Sequence, residues 1–176
     1  MSTDGTFATL LREGRLVEFE KDDDDHRQPE RCLYFCPDTK TWIDQLPLTK
    51  DPHLEADLPH VARDALSPAE QAFRIFDAFV YDAKFFRGDI PRMMPPKEGV
   101  YEIKTPSLRL MGAFHRPNVF ICAAADYKRN LKGNRPLGEK YMRDVRTFFA
   151  SLPLPNPKID LRDVNELLGK APLRLR

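Results

Sequence analysis

The chain has 176 residues, of which 41% are hydrophobic and 31% are charged, and its formal net charge is +1. This composition is typical of globular proteins and the length suits a single core, so we expect one folded domain with extensions rather than a disordered chain. No apolar run approaches the roughly 18 residues that cross a bilayer, and the N-terminus lacks a secretory signal pattern, so we expect a cytoplasmic protein without a membrane partner.

The first predicted elements are two strands and a helix. Residues 15–20 have strand propensity, and the run Asp22–Asp25 that follows them is interpreted as a solvated loop, because four adjacent carboxylates repel one another. Residues 31–36 form an apolar and aromatic run that predicts a second strand. A helix is expected to begin at Pro37 and to end near Pro47.

A helix with a complete start signal follows. Ser67 is placed as the N-cap, Pro68 as the first helical residue, and Glu70 as the third, which together make a capping box. The apolar residues behind it recur with helical spacing to about Phe86. We therefore expect a helix over residues 68–86 that packs one face on a sheet.

From Gly99 the apolar pattern changes to a period of two. It predicts an antiparallel meander of three strands, over residues 100–104, 108–115 and 118–125. A second amphipathic helix is expected over 138–150, and a short last helix over 161–168 is expected to cap the domain or to contact a partner. The predicted fold is α+β, an antiparallel sheet with packed helices over 31–152, with an acidic extension at 1–30 and a proline-rich linker and short helix at 153–176.

The three cysteines indicate neither a disulfide framework nor a metal site. Cys32, Cys36 and Cys122 cannot all pair, and His26, the nearest histidine to the first two, lies beyond a charged stretch. We therefore expect reduced thiols and assign no metal. The chain also lacks a glycine-rich phosphate loop and a nucleophile elbow, so we assign no cofactor and find no support for a small-molecule enzyme.

The small net charge conceals a strong asymmetry between the two halves. Residues 1–95 contain 12 Lys and Arg against 19 Asp and Glu, a net charge of −7, whereas residues 96–176 contain 16 against 8, a net charge of +8. A basic half of this kind indicates an anionic partner, either a nucleic acid or an acidic protein. Alternatively, the two halves pack together and the acidic half covers the basic one.

Two passages in the second half resemble a known family. The passage MPPKEGVYEIKTPSLRLMGAF and the strand-and-turn VFICAAADYKRN are similar to the core of the RelE/HigB superfamily of toxins from toxin–antitoxin systems, which includes phage-derived relatives. The resemblance covers about residues 31–150 and is sharpest over 93–129. It implies a RelE/HigB-like fold and a metal-independent mRNA endonuclease, with RNA or the ribosome and a cognate antitoxin as partners.

The resemblance also implies a set of site residues. Cleavage through a ribose 2′-OH requires a base for that hydroxyl, cations for the phosphate and an acid for the leaving 5′-oxygen. The implied catalytic residues are Arg109, Lys128, Arg129 and Tyr141. The implied RNA-binding residues are Lys104, His115, Lys132 and Arg135.

Each of these assignments has a structural alternative. Lys104 and Arg109 fit the solvent face of a half-covered sheet equally well, and Lys128 and Arg129 follow Asp126, which offers a surface ion pair. Tyr141 has the helical spacing of a core residue. Because the family's toxins are shorter and basic throughout, a catalytically inactive interaction module is the alternative function.

Overall fold

A five-stranded mixed sheet organises the protein. The computed structural model describes residues 3–20, 28–51, 66–81, 99–154 and 164–168. Its strands in these ranges are β1 (Val17–Glu18), β2 (Cys32–Phe35), β3 (Tyr101–Lys104), β4 (Leu108–Arg116) and β5 (Val119–Tyr127). Its helices are α1 (Thr3–Arg12), α2 (Pro37–Asp44), α3 (Pro68–Tyr81), α4 (Lys128–Leu131), α5 (Arg135–Ser151) and α6 (Val164–Leu167).

The strand order across the sheet is β1-β2-β5-β4-β3. The predicted meander is confirmed, because β3 pairs antiparallel with β4, and β4 with β5. The prediction of an antiparallel sheet is wrong for one pair: β2 runs parallel to β5, with Cys32 opposite Val119 and Phe35 opposite Cys122. The chain between these strands contains α2, α3 and two other strands, and such a distant pairing leaves no local trace in the sequence.

The predicted capping box opens α3. The Glu70 backbone N–H donates to Ser67 Oγ at 3.2 Å, and the Ser67 backbone N–H donates to Glu70 Oε2 at 2.8 Å. Each bond satisfies a backbone donor that a helix terminus leaves open. The described part of α3 ends at Tyr81, so the predicted continuation to Phe86 lies outside the described residues.

The sheet is covered on both faces by apolar side chains. Phe76 and Phe79 of α3 pack on one face, and Val145 and Phe149 of α5 pack on the other. Since the apolar stripes of α3 and α5 both face the sheet, the packing accounts for the period of 3.6 in these two segments. Within the described residues, no helix is long and apolar enough to span a membrane.

Residues 3–20, which the sequence analysis placed in an acidic extension, belong to this same core. Phe7 and Leu10 of α1 are buried on the α5 face of the sheet, and β1 pairs with β2 at the edge. The predicted strand over 15–20 forms only over Val17–Glu18. The helix α1 was not predicted, because a single short apolar face depends on tertiary packing more than on helix propensity.

The short helix α6 caps the protein's own core. Leu167 and Leu168 are buried there, and the Asn118 backbone N–H donates to the Leu167 carbonyl at 2.7 Å. The buried Arg31 donates through Nε to the Leu168 carbonyl at 3.0 Å and through Nη1 to the Phe79 carbonyl at 3.1 Å. Of the two roles expected for the last helix, these contacts show the first.

Candidate functional site

A pocket of 870 Å³ lies between the β3–β4 edge of the sheet and the segment that joins α4 to α5. It brings together four of the eight predicted site residues: Arg109, Lys128, Lys132 and Arg135. Two carboxylates, Glu102 and Glu139, also line it, so the formal charge of the lining side chains that the structure describes is +2. The remaining lining residues are Leu131, Gly133, Asn134, Gly138 and Met142.

The guanidinium of Arg109 is held in place by the turn that precedes it. Arg109 Nη1 donates to the carbonyl oxygens of Thr105 and Leu108, both at 2.7 Å. Arg109 Nε lies 3.7 Å from Glu102 Oε2. Burial lowers the pKa of Arg109 and the neighbouring charge of Glu102 raises it, but an arginine stays charged under all ordinary conditions. The structure therefore places a fixed positive charge in the wall of the pocket.

The turn at residues 105–107 is itself held by a buried glutamine. Gln71 of α3 accepts through Oε1 from Thr105 Oγ1 and from the Ser107 backbone N–H, both at 2.9 Å. The Ser107 carbonyl in turn accepts from the Lys128 backbone N–H at 2.7 Å. One buried amide thus fixes the turn that positions both Arg109 and Lys128. Sequence reasoning missed Gln71, because it lies within the apolar stretch of α3.

The N-terminus of α5 forms another part of the pocket wall. Asn134 is its N-cap, and its side chain accepts from the Leu137 backbone N–H at 3.2 Å. The helix begins at Arg135, three residues before the predicted start, because Asn134 as the N-cap and Pro136 in the first turn favour an earlier beginning. The positive end of the helix dipole adds to the positive charge of the pocket.

Tyr141 does not line the pocket, and its hydroxyl is engaged. Tyr141 Oη donates to Asp126 Oδ2 at 2.9 Å, while Asp126 Oδ1 accepts from Asn130 Nδ2 and from the Tyr127 backbone N–H, both at 2.7 Å. Burial, together with the hydrogen bond and negative charge of Asp126, raises the pKa of Tyr141 to about 12. The geometry therefore makes Tyr141 a neutral donor to a carboxylate.

Lys104 lies at the margin of the site. It stands directly opposite Arg109 in the pairing of β3 with β4, and its ammonium contacts Glu102 Oε1 at 3.0 Å. Its side chain is 44% exposed and does not line the pocket. It extends the positive surface along the sheet edge.

His115 and Arg129 do not line the pocket. His115 is six residues beyond Arg109 on β4, about 20 Å at the rise of a strand, and its ring packs 5.6 Å from that of Phe7. Arg129 lies against the ring of Tyr127, with Cζ 4.2 Å from the ring centroid. Four of the eight predicted residues thus line the pocket. The other four, Lys104, His115, Arg129 and Tyr141, do not.

Glu102 and Glu139 were not among the predicted residues, although the sequence contains signals for both. Glu102 is two residues before Lys104 on a strand, so the two side chains share a face. Glu139 follows Arg135 by four residues on a helix, where the pair contacts at 2.8 Å. Both glutamates thus lie beside predicted cations, at spacings that place each pair on one face of its element.

The acidic half does not supply the described lining of the pocket, which comes entirely from residues 102–142. Among the residues that the structure describes, no group of three or more His, Cys, Asp or Glu side chains is placed to hold a metal ion. In comparisons with protein-family models, curated proteins and solved structures, no family, protein or structure matches this chain.

Proposed function

We propose that this chain binds RNA in the basic pocket and cleaves the bound strand without a metal ion. The observation that carries the proposal is the gathering of Arg109, Lys128, Lys132 and Arg135 around one cavity with a formal charge of +2. These cations come from three elements and the loop between two of them, and a cluster of this kind attracts a phosphate backbone. The resemblance of residues 93–129 to RelE/HigB toxins supports RNA as the polyanion.

The pocket contains groups suited to each step of 2′-OH chemistry. Glu102 lies beside Arg109 and can accept the proton of the 2′-OH, while Arg109 and Lys132 neutralise the phosphate that the 2′-oxygen attacks. Lys128 can return a proton to the 5′-oxygen as the P–O5′ bond breaks. The products are a 2′,3′-cyclic phosphate and a 5′-hydroxyl end.

A second candidate function is RNA or protein binding without cleavage. It is favoured by the positions of Tyr141 and His115, the two predicted residues whose side chains are best suited to transfer a proton. Tyr141 is committed to Asp126 with a raised pKa, and His115 lies at the far end of β4. In both candidates, an acidic antitoxin would cover the same basic pocket as its partner.

Binding and cleavage are tested with the purified chain and a labelled single-stranded RNA in the presence of EDTA. The pocket variant Lys128→Ala/Lys132→Ala is compared with Lys40→Ala/Lys140→Ala, which removes the same charge from helix surfaces outside the pocket. We expect the pocket variant alone to lose about tenfold in affinity, and its dependence on salt to fall by about 1.4 in logarithmic slope, about 0.7 for each lost contact to a single strand.

The outcomes separate the two candidates. New RNA ends carrying a 2′,3′-cyclic phosphate, absent from the pocket variant, would support cleavage. Tight binding with intact RNA would favour the non-catalytic module. Equal affinities of the two double variants would contradict the assignment of the pocket. In a bacterial host, inducible expression with primer extension on mRNA gives the corresponding test of growth arrest.

A further inference from the structure

Arg129 forms a layered arrangement with two aromatic rings beyond the end of β5, next to the pocket residue Lys128. Its guanidinium carbon lies 4.2 Å from the centroid of the Tyr127 ring, and the Tyr127 ring meets that of Trp42 edge to face at 5.6 Å. Tyr127 and Trp42 both pack against the core cluster beneath α2 and α3. The guanidinium therefore rests on a supported aromatic surface.

A buried carboxylate orients this guanidinium. Arg129 Nη1 lies 3.4 Å from Asp51 Oδ1, and the Asp51 side chain is 7% exposed. The Arg129 side chain itself is 45% exposed. Since Tyr127 covers one face of the planar group and Asp51 takes one edge, the second face is presented to solvent. Because the carboxylate is buried and needs a partner, the ion pair holds Arg129 in this position while nearly half of its side chain stays open to solvent.

The second face of such a guanidinium is a surface on which a nucleobase can stack. Arginine is planar and weakly hydrated, and proteins that bind single-stranded RNA stack bases on arginine and on aromatic rings. The neighbouring residue Lys128 lines the pocket, so α4 presents a phosphate-binding side chain and a planar side chain at consecutive positions.

We propose that Arg129, supported by Tyr127 and oriented by Asp51, is a stacking platform for one base of a single-stranded RNA whose phosphate occupies the adjacent pocket. This inference rests on the proposed RNA-binding function and gives Arg129 a role in binding rather than in catalysis. It also predicts the class of ligand: an unpaired strand, because a base within a duplex has no free face.

Trp42 offers a direct readout, because it is the only tryptophan of the chain and its ring contacts Tyr127. The full-length protein is titrated with a single-stranded hexaribonucleotide and, separately, with polyphosphate, which carries the charge but no bases. The test variant is Arg129→Lys, which keeps the charge and loses the plane. The control is Arg143→Lys, at an exposed position of α5.

We expect the hexaribonucleotide, but not polyphosphate, to change the fluorescence of Trp42 in the unaltered protein. Arg129→Lys should lose about tenfold in affinity for the RNA, within the range of one stacked base. It should keep its affinity for polyphosphate and its salt dependence, since the charge is unchanged. Arg143→Lys should behave like the unaltered protein in every arm.

The other outcomes contradict either the stacking platform alone or the platform together with the proposed function. RNA binding that is equally tight in Arg129→Lys, with a silent Trp42, overturns the platform and leaves the proposed function standing. An equal loss of RNA and polyphosphate affinity makes Arg129 an ordinary phosphate contact and also overturns the platform. If polyphosphate binds as tightly as RNA, or if neither ligand binds, both the platform and the proposed function are contradicted. The Trp42 signal of the unaltered protein decides the question even if Arg129→Lys is poorly folded.

Discussion

The closed interior and the basic pocket meet at the β3–β4 turn. They differ in how far their polar and charged groups are matched by partners. On the α3 side, the Gln71 amide makes four hydrogen bonds, to Leu66, Thr105 and Ser107, away from water. On the α5 side, Arg109 is half-buried, and the described lining of the cavity contains four cations and two carboxylates. A buried network in which every group has a partner stabilises the fold, whereas an excess of positive charge beside a cavity predicts an anionic ligand.

Paired glycine substitutions should show the largest difference between the interior and the pocket. A Cβ at Gly112 would lie against the Ile121 carbonyl oxygen, 2.9 Å from the Cys122 Cα, whereas a Cβ at Gly138 meets nothing within 4 Å. We expect Gly112→Ala to lower the free energy of unfolding by about 3 kcal/mol or more. Gly138→Ala should raise it by about 0.5–1 kcal/mol, because Gly138 lies within α5. Urea denaturation measures both, and equal effects would contradict this account of the packing.

Disruption of the hydrogen bonds of the buried Gln71 should have the next largest effect on the free energy of unfolding. Gln71→Leu leaves the hydroxyl of Thr105 and the backbone N–H of Ser107 without their acceptor, so we expect a loss of about 3 kcal/mol in unfolding free energy. Gln45→Ala, at an exposed position, is the control. Because the turn also positions Lys128 and Arg109, Gln71→Leu should weaken RNA binding as well. A variant with normal stability would show that the network is dispensable.

The hydrogen bond between Tyr141 and Asp126 should have a smaller effect that depends on pH. Tyr141→Phe removes the donor, and we expect a loss of about 1 kcal/mol at neutral pH. The folded pKa of Tyr141 is about 12, above the ordinary value of 10. Its contribution is therefore complete below pH 10 and is lost as the pH rises from 10 to 12.

Denaturation of both proteins across that interval measures the difference in unfolding free energy between the unaltered chain and Tyr141→Phe. We expect the difference to shrink with rising pH. A constant difference would mean that Tyr141 does not titrate in this range. Unchanged RNA cleavage by Tyr141→Phe would confirm that its role is structural.

The smallest expected effect is on RNA affinity, from substitution of Glu102, one of the carboxylates that line the pocket. Glu102→Gln raises the formal charge of the lining from +2 to +3, so we expect RNA affinity to rise by about threefold at low salt. If Glu102 is the general base, the same variant should lose cleavage while it binds more tightly. Glu139→Gln removes an equal charge from the same pocket and should increase affinity without a loss of cleavage. A loss of cleavage in both variants would contradict the specific role of Glu102.

Local patterns in the sequence were sufficient for most of the elements. The capping box of α3 and the alternation in β3, β4 and β5 act over a few residues, and the structure forms these elements close to the predicted positions. Patterns of this kind failed where stability comes from distant contacts. The helix α1 and the parallel pairing of β2 with β5 both depend on residues more than 80 positions away.

The candidate site divides in the same way. The sequence by itself determined that residues 96–176 carry the excess of positive charge, because charge is a property of composition. Only the tertiary structure decided which cations share a cavity: Lys128 lines the pocket, while Arg129, the next residue, lies on Tyr127. The physical reason is that the side chains of consecutive residues point in different directions, so the packing around α4 sets the surroundings of each.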